Sequence, residues 1–228
     1  MKKRQITLFA TLLIVGSMLG YASGCPGAIG STTETMILIN DETGGLGKDI
    51  LGVVGDGHSP ALSEDGARIA YYDDDYNIWT VNVDGSGRTQ LTSGQFDLNP
   101  AWSPDGKKIA FRRGTMIDGS SHNDIWTMNS DGSHQIPLTD ALGTGGSYDR
   151  PAWSPDGTRI AMEAAVAGMM SEIYIIDVRT KALSNVTAGN SRDNNRINHQ
   201  SPAWLADGER ISLVRNDDFA IIRIDGSE

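Results

Sequence analysis

After Cys25 the chain falls into apolar runs of four or five residues, divided by clusters rich in Gly, Pro, Asp and Ser. No stretch there carries the three-and-four spacing of an amphipathic helix, so the runs predict β-strands. They recur as sets. Arg68-Ile69-Ala70-Tyr71, Lys108-Ile109-Ala110-Phe111, Arg159-Ile160-Ala161-Met162 and Arg210-Ile211-Ser212-Leu213 form one set. Ile78-Trp79-Thr80-Val81-Asn82, Ile125-Trp126-Thr127-Met128-Asn129 and Ile173-Tyr174-Ile175-Ile176-Asp177 form a second, and Leu91-Thr92, Leu138-Thr139 and Val186-Thr187 mark a shorter third.

A proline-led segment opens each unit: Ser59-Pro60-Ala61-Leu62, Asn99-Pro100-Ala101-Trp102, Arg150-Pro151-Ala152-Trp153 and Ser201-Pro202-Ala203-Trp204. The prolines stand 40, 51 and 51 residues apart, a period that fits one four-stranded propeller blade per unit. Ser-Pro-Asp-Gly, at 103–106 and 154–157, suits a type I turn: Pro presets φ, Asp tolerates the next position and Gly ends it. Asp84-Gly85 and Asp131-Gly132 are hairpin signals. Each unit thus predicts strand a, turn, strand b, loop, strand c, turn, strand d. A lone blade has two apolar faces, and stacking around an axis buries both. Trp102, Trp153 and Trp204 recur at one repeat position and are expected between blades. The fold class expected is all-β, a β-propeller of four to five four-stranded antiparallel blades.

The pattern Pro-Ala-Trp-Ser-Pro-Asp-Gly, then Lys-Ile-Ala-Phe, Asp-Ile-Trp-Thr-Met-Asn-Ser-Asp-Gly and Leu-Thr resembles the WD-like propeller repeats of the TolB family. It is also similar to the N-terminal propellers of dipeptidyl-peptidase and oligopeptidase families. The resemblance covers about residues 35–228 and speaks for the fold, because one propeller scaffold serves many tasks. The chain departs from TolB twice. No segment could form the α/β domain that precedes the TolB propeller, and four repeat motifs stand where six blades are implied. Ile37-Leu38-Ile39-Asn40 is similar to strand c, and Ile50-Leu51 to the start of strand d. Closure of the last blade by these N-terminal strands gives four blades. Five blades, an open arc, a ring closed by several copies and a truncated product are the alternatives.

The N-terminus differs from the rest. Lys2, Lys3 and Arg4 precede an uncharged apolar run from Ile6 to about Tyr21, then Ala22-Ser23-Gly24-Cys25. This reads as a secretory signal, with an uncleaved anchor as the alternative. Cys25 is the only cysteine and forms no internal disulfide. Its place resembles the lipidation site of a bacterial lipoprotein, although Leu is more usual where Ala22 stands; ordinary cleavage leaving a free thiol is the other reading. The expected organisation is signal 1–24, tether 25–34 and propeller 35–228. Cleavage moves the net charge from -10 to -13, so a nucleic-acid partner is not expected.

Strand order sets the a–b and c–d turns at one end of the axis and the d–a and b–c loops at the other. Seven, eleven and fourteen residues separate Thr92, Thr139 and Thr187 from the next leading proline, and long loops favour function. The candidate contact residues are therefore Asp97, Asn99, Tyr148, Asp149, Arg150, Arg192, Arg196, His199 and Gln200. No Gly-x-Ser-x-Gly elbow, His-Glu-x-x-His motif or phosphate loop occurs. Asp73, Asp75 and Asn77 imitate a calcium loop but lack its Gly and Glu, and better suit a hairpin tip. His58 and His199 hold nearby repeat positions without a supporting carboxylate pattern. No enzyme activity, metal or cofactor is expected. The leading reading is a lipid-anchored module on the periplasmic side of the envelope that binds a protein partner. A carbohydrate-binding or polysaccharide-processing propeller is the alternative, and a truncated propeller fragment a third.

Overall fold

A computed structural model describes residues 57–117, 120–140, 146–166, 171–188 and 197–225. The leader, Cys25, the tether and the strand-like runs at 37–40 and 50–51 lie outside them. Among the described residues every regular element is a strand. Blade 1 comprises β1 (Gly57–Leu62), β2 (Arg68–Asp73), β3 (Ile78–Asn82) and β4 (Thr89–Gln90). Blade 2 comprises β5 (Phe96–Trp102), β6 (Lys108–Ile117), β7 (Ser120–Asn129) and β8 (Ile136–Pro137). Blade 3 comprises β9 (Gly146–Trp153), β10 (Arg159–Val166), β11 (Glu172–Asp177) and β12 (Leu183–Asn185). Blade 4 comprises β13 (His199–Trp204), β14 (Arg210–Arg215) and β15 (Asp218–Arg223). Each sheet is an antiparallel meander in chain order, and the four form a four-blade β-propeller.

Local chemistry explains the repeat. At the a–b turn, Gly66, Gly106 and Gly157 donate N–H to the Ser63, Ser103 and Ser154 carbonyls at 2.8–2.9 Å. Each of these glycines sits at φ 66–69°, a conformation that costs a side chain. Each serine Oγ donates to the Asp two residues on and accepts the N–H of the first strand-b residue, as Ser103 does with Asp105 (2.7 Å) and Lys108 (2.9 Å). In blade 4, Leu205 replaces that serine; the serine's side-chain bonds are lost, and the backbone bonds from the Gly208 N–H to the Leu205 carbonyl and from the Leu205 N–H to the Arg210 carbonyl are kept.

The Leu-Thr and Val-Thr pairs follow the short fourth strands rather than forming them. Thr92, Thr139 and Thr187 are buried. Their hydroxyls accept the N–H of Ile78, Ile125 and Ile173 at 2.8, 2.9 and 3.0 Å, satisfying a buried donor at one equivalent position of each strand c.

Alternation sets two faces on each sheet. Ile109, Phe111 and Met128 form the front face of blade 2 and pack with Ala70, Ile78 and Leu91 on the back face of blade 1. Ile160, Met162 and Ile176 of blade 3 meet Ala110, Ile125 and Leu138 of blade 2. Ile211, Leu213 and Ile222 of blade 4 meet Ala161, Ile173 and Ile175 of blade 3.

The tryptophans lie at these seams and add a polar bond each. Trp102, Trp153 and Trp204 donate Nε1–H to the carbonyls of Ala61, Ala101 and Ala152 in the preceding blade, at 3.1, 3.2 and 3.1 Å. Arg68 and Arg159 stack on Trp102 and Trp204 of the following blade, 4.5 and 4.8 Å from the ring centres. Inter-blade contacts join blade 1 to 2, 2 to 3 and 3 to 4; among the described residues none joins blade 4 to blade 1.

Candidate functional site

The a strands β1, β5, β9 and β13 touch one another in succession and so line the propeller axis. Each carries a bulge just before its proline. Ser59, Asn99, Arg150 and Ser201 occupy the bulge with φ of 46–52°, left-handed values uncommon for residues other than glycine. The sequence conceals this, since a residue before proline ordinarily prefers extended backbone.

The bulges support a chain of charged bonds across three blades. Asn99 donates to Asp149 Oδ1 at 2.7 Å, and Arg112 Nη1 lies 3.3 Å from Asp149 Oδ2. The Arg150 N–H also donates to Asp149 Oδ1, at 2.7 Å. The Arg150 guanidinium reaches Glu163 Oε1 at 2.6 Å, and the Ser201 N–H donates to the same oxygen. The Glu163 carboxylate raises the Arg150 pKa above its ordinary value, chiefly through that hydrogen bond. Glu163 is buried, whereas Arg150 is half exposed. Gln200 is partly buried next to Ser201. Arg192 and Arg196 lie outside the described residues.

Three of the candidate residues turn inward. Asp97 is fully buried and holds Arg113 in a two-pronged ion pair, at 2.7 Å to Nε and 2.8 Å to Nη2. Arg113 Nη2 also donates to Gln135 Oε1 at 2.9 Å, and its guanidinium stacks 4.6 Å from the Trp126 ring centre. Tyr148 is buried in the blade 2–3 core, edge-on to Tyr174 with centroids 6.4 Å apart. His199 is buried, and neither ring nitrogen has a hydrogen-bond partner.

Burial lowers the His199 pKa below its ordinary value, and Arg215 lowers it further against the pull of Glu172. The native state thus favours the neutral ring and the unfolded state binds the proton more readily. Stability contributed by neutral His199 is present above pH 6.5 and is lost as pH falls below that value. Thermal melts between pH 7.5 and 5 should show a decline that His199→Phe flattens; an equal decline in the variant contradicts this assignment.

Sequence reasoning misses an apolar patch at the same end of the molecule. Tyr76, at the b–c hairpin tip of blade 1, and Phe96, at the start of β5, are both exposed with ring centres 5.3 Å apart. Tyr76 is tied there, because its carbonyl accepts the Asp97 N–H at 2.9 Å. Phe96 pairs with Gly114 on β6, and exposed Met116 stands two residues along that strand. A strand-initial aromatic beside a hairpin-tip aromatic is the available sequence signal, and it emerges only once the blades are paired. His58 of blade 1 lies 2.8 Å from Asp74 and stacks on Tyr72. Among the described residues no group of three His, Cys, Asp or Glu could hold a metal ion.

Four radial antiparallel sheets with axis-lining bulges define a β-propeller. No family model matches the chain. It is 36% identical over 80 residues to the Tol-Pal system protein TolB of Rhizorhabdus wittichii, covering 35% of this chain and 17% of that protein. It is 31% identical over 80 residues to the same-named protein of Zymomonas mobilis, covering 35% and 16%. The chain thus spans about a sixth of the length of these curated relatives. Among solved structures it is similar to TolB from Acinetobacter baumannii, with a TM-score of 0.63, 22% identity, and coverage of 84% of this chain and 47% of that one. The chain therefore carries TolB-like propeller repeats over part of its length.

Proposed function

We propose that the chain is an exported, non-catalytic binding propeller of the bacterial cell envelope that engages a protein partner through its b–c and d–a loop end. One observation carries this reading: Tyr76, Phe96 and Met116 are exposed at the end where Asn99, Asp149 and Arg150 form their charged chain. Exposed aromatics and Met beside Arg match the composition of protein interfaces better than that of an ordinary surface. The TolB relatives belong by name to the Tol-Pal system, which supports an envelope setting. Lipid on Cys25 holds the propeller to a membrane, and residues 25–34 act as the tether.

Capture of partners from envelope extracts tests the binding reading. Tyr76→Ala with Phe96→Ala should weaken capture at least about tenfold, since aromatic anchors carry much of the energy of an interface. Capture that is absent, or unchanged by both substitutions, contradicts it. Mass spectrometry of the mature N-terminus, with membrane fractionation, tests the anchor separately. The expected product begins at acylated Cys25 in the membrane fraction; an unmodified soluble protein removes the anchor.

A further inference from the structure

The blades are equivalent strand by strand, and the comparison singles out the back face of blade 4. Ile78, Ile125, Ile173 and Phe219 hold one register position, opposite Tyr72, Arg112, Glu163 and Val214. The three isoleucines are fully buried, whereas Phe219 is 74% exposed. Two residues along, Thr80, Thr127 and Ile175 are buried and Ile221 is 42% exposed. On strand a, Ala61, Ala101 and Ala152 are partly buried, whereas Ala203 is exposed. From β13 to β15 this face thus meets solvent at positions that the other blades cover.

The polar groups of the face say what can cover it. The Ala61, Ala101 and Ala152 carbonyls each take an indole N–H from the following blade. The Ala203 carbonyl instead accepts the Ser212 hydroxyl of its own blade, at 3.2 Å. A covering surface therefore need bring no indole. The front face of blade 1 is not that surface, because its Ile69, Tyr71 and Val81 are already buried within the single chain.

The order of residues along β15 supplies a match of another kind. Its back face carries Phe219, Ile221 and Arg223, and exposed Asp217 stands in the hairpin turn just before. Arg223 is half exposed and reaches Glu209 at 3.9 Å, a long contact for an ion pair. Acid, aromatic, aliphatic and base thus follow one another at alternate positions. Such a stripe, reversed and laid against a copy of itself, sets acid against base and apolar against apolar.

We infer that two copies of this chain pair back to back through blade 4. The two-fold axis lies between the faces and crosses the strands at the level of Leu213 and Ala220, which pair with each other. Each strand then runs antiparallel to its own counterpart, and β13, β14 and β15 all overlap. Phe219 lies over Ile221 of the second copy, Val214 over Ser212, and Asp217 over Arg223, each contact made twice. Packed sheets stand about 10 Å apart, close enough to cover Phe219. The contact is isologous and closes at two copies. Three short strands make a small interface, so the affinity falls in the micromolar range. Tyr76, Phe96 and Met116 take no part, which leaves the pairing independent of the partner-binding reading.

The test uses the full chain carrying Cys25→Ser and Val214→Cys, since Val214 lies beside the axis and so near its own counterpart. At concentrations above the micromolar range, a short bis-maleimide should link it into a species of doubled mass and nothing larger. Adding Phe219→Asp with Ile221→Asp should lower the yield at least about tenfold, as expected for loss of interface anchors, and leave the near-UV spectrum unchanged. Asp217→Arg should weaken the link, and Arg223→Asp added to Asp217→Arg should restore it, because the exchanged charges again meet across the axis. The inference is overturned if no doubled species forms, if a ladder of larger species appears, or if the link survives the two aspartates. It is equally overturned if the charge exchange fails to restore the link.

Discussion

Asp97→Ala should destabilise the propeller by about 3–5 kcal/mol, the scale for removing one partner of a buried ion pair. Asp97 is fully buried and Arg113 nearly so, with both carboxylate oxygens engaged. The substitution strands a guanidinium between Phe111 and Trp126, with Gln135 as its remaining acceptor. Most of the loss is the desolvation of an unpaired charge, so the second half of the experiment is Asp97→Leu combined with Arg113→Met. That pair should recover most of the stability, because an apolar replacement of a buried ion pair is often neutral. Urea melts of the three proteins measure both effects. A small loss in Asp97→Ala, or a double variant no better than the single, contradicts the buried pair.

Ile125→Ala and Phe219→Ala change equivalent repeat positions and should differ widely in cost. Ile125 is sealed between blades 2 and 3 and should cost about 2–5 kcal/mol, the sum of lost transfer energy and the cavity left behind. Phe219 should cost within about 0.5 kcal/mol in the isolated chain, because most of its surface already meets solvent. Ile173→Ala should follow Ile125. Similar costs at 125 and 219 would contradict the difference in burial between these equivalent positions.

The blade plan is legible in the sequence because its signals are local. Ser-Pro-Asp-Gly closes a turn by bonds within six residues, and Ile-Ala-Phe alternates across one strand. The tryptophan position is legible for a different reason: a large aromatic repeated once per unit has to face the next unit. The indole bonds to the alanine carbonyls are not legible, since each joins residues 41 or 52 apart in different blades.

The candidate site is less legible. Counting back by twos from Trp102 ignores the extra residue at Asn99, and one extra residue reverses the face of everything before it. Asp97, Tyr148 and His199 precede such bulges and point into the protein, while Asn99 and Arg150 sit on them and join the charged chain. Tyr76 and Phe96 escape notice because their nearness depends on how blade 1 meets blade 2. Loop length alone marks the right end of the molecule but not the residues on it.

A double-mutant cycle across the blade 2–3 seam tests the radial packing most directly. Ile125→Val and Ile160→Val lie in one core cluster, on the back of blade 2 and the front of blade 3. Their coupling should be about 0.5 kcal/mol or more, whereas Ile125→Val and Met128→Leu, on opposite faces of blade 2, should add without coupling. Coupling between 125 and 128 with none between 125 and 160 would contradict front-to-back stacking, and with it the placement of every residue assigned to the loop end.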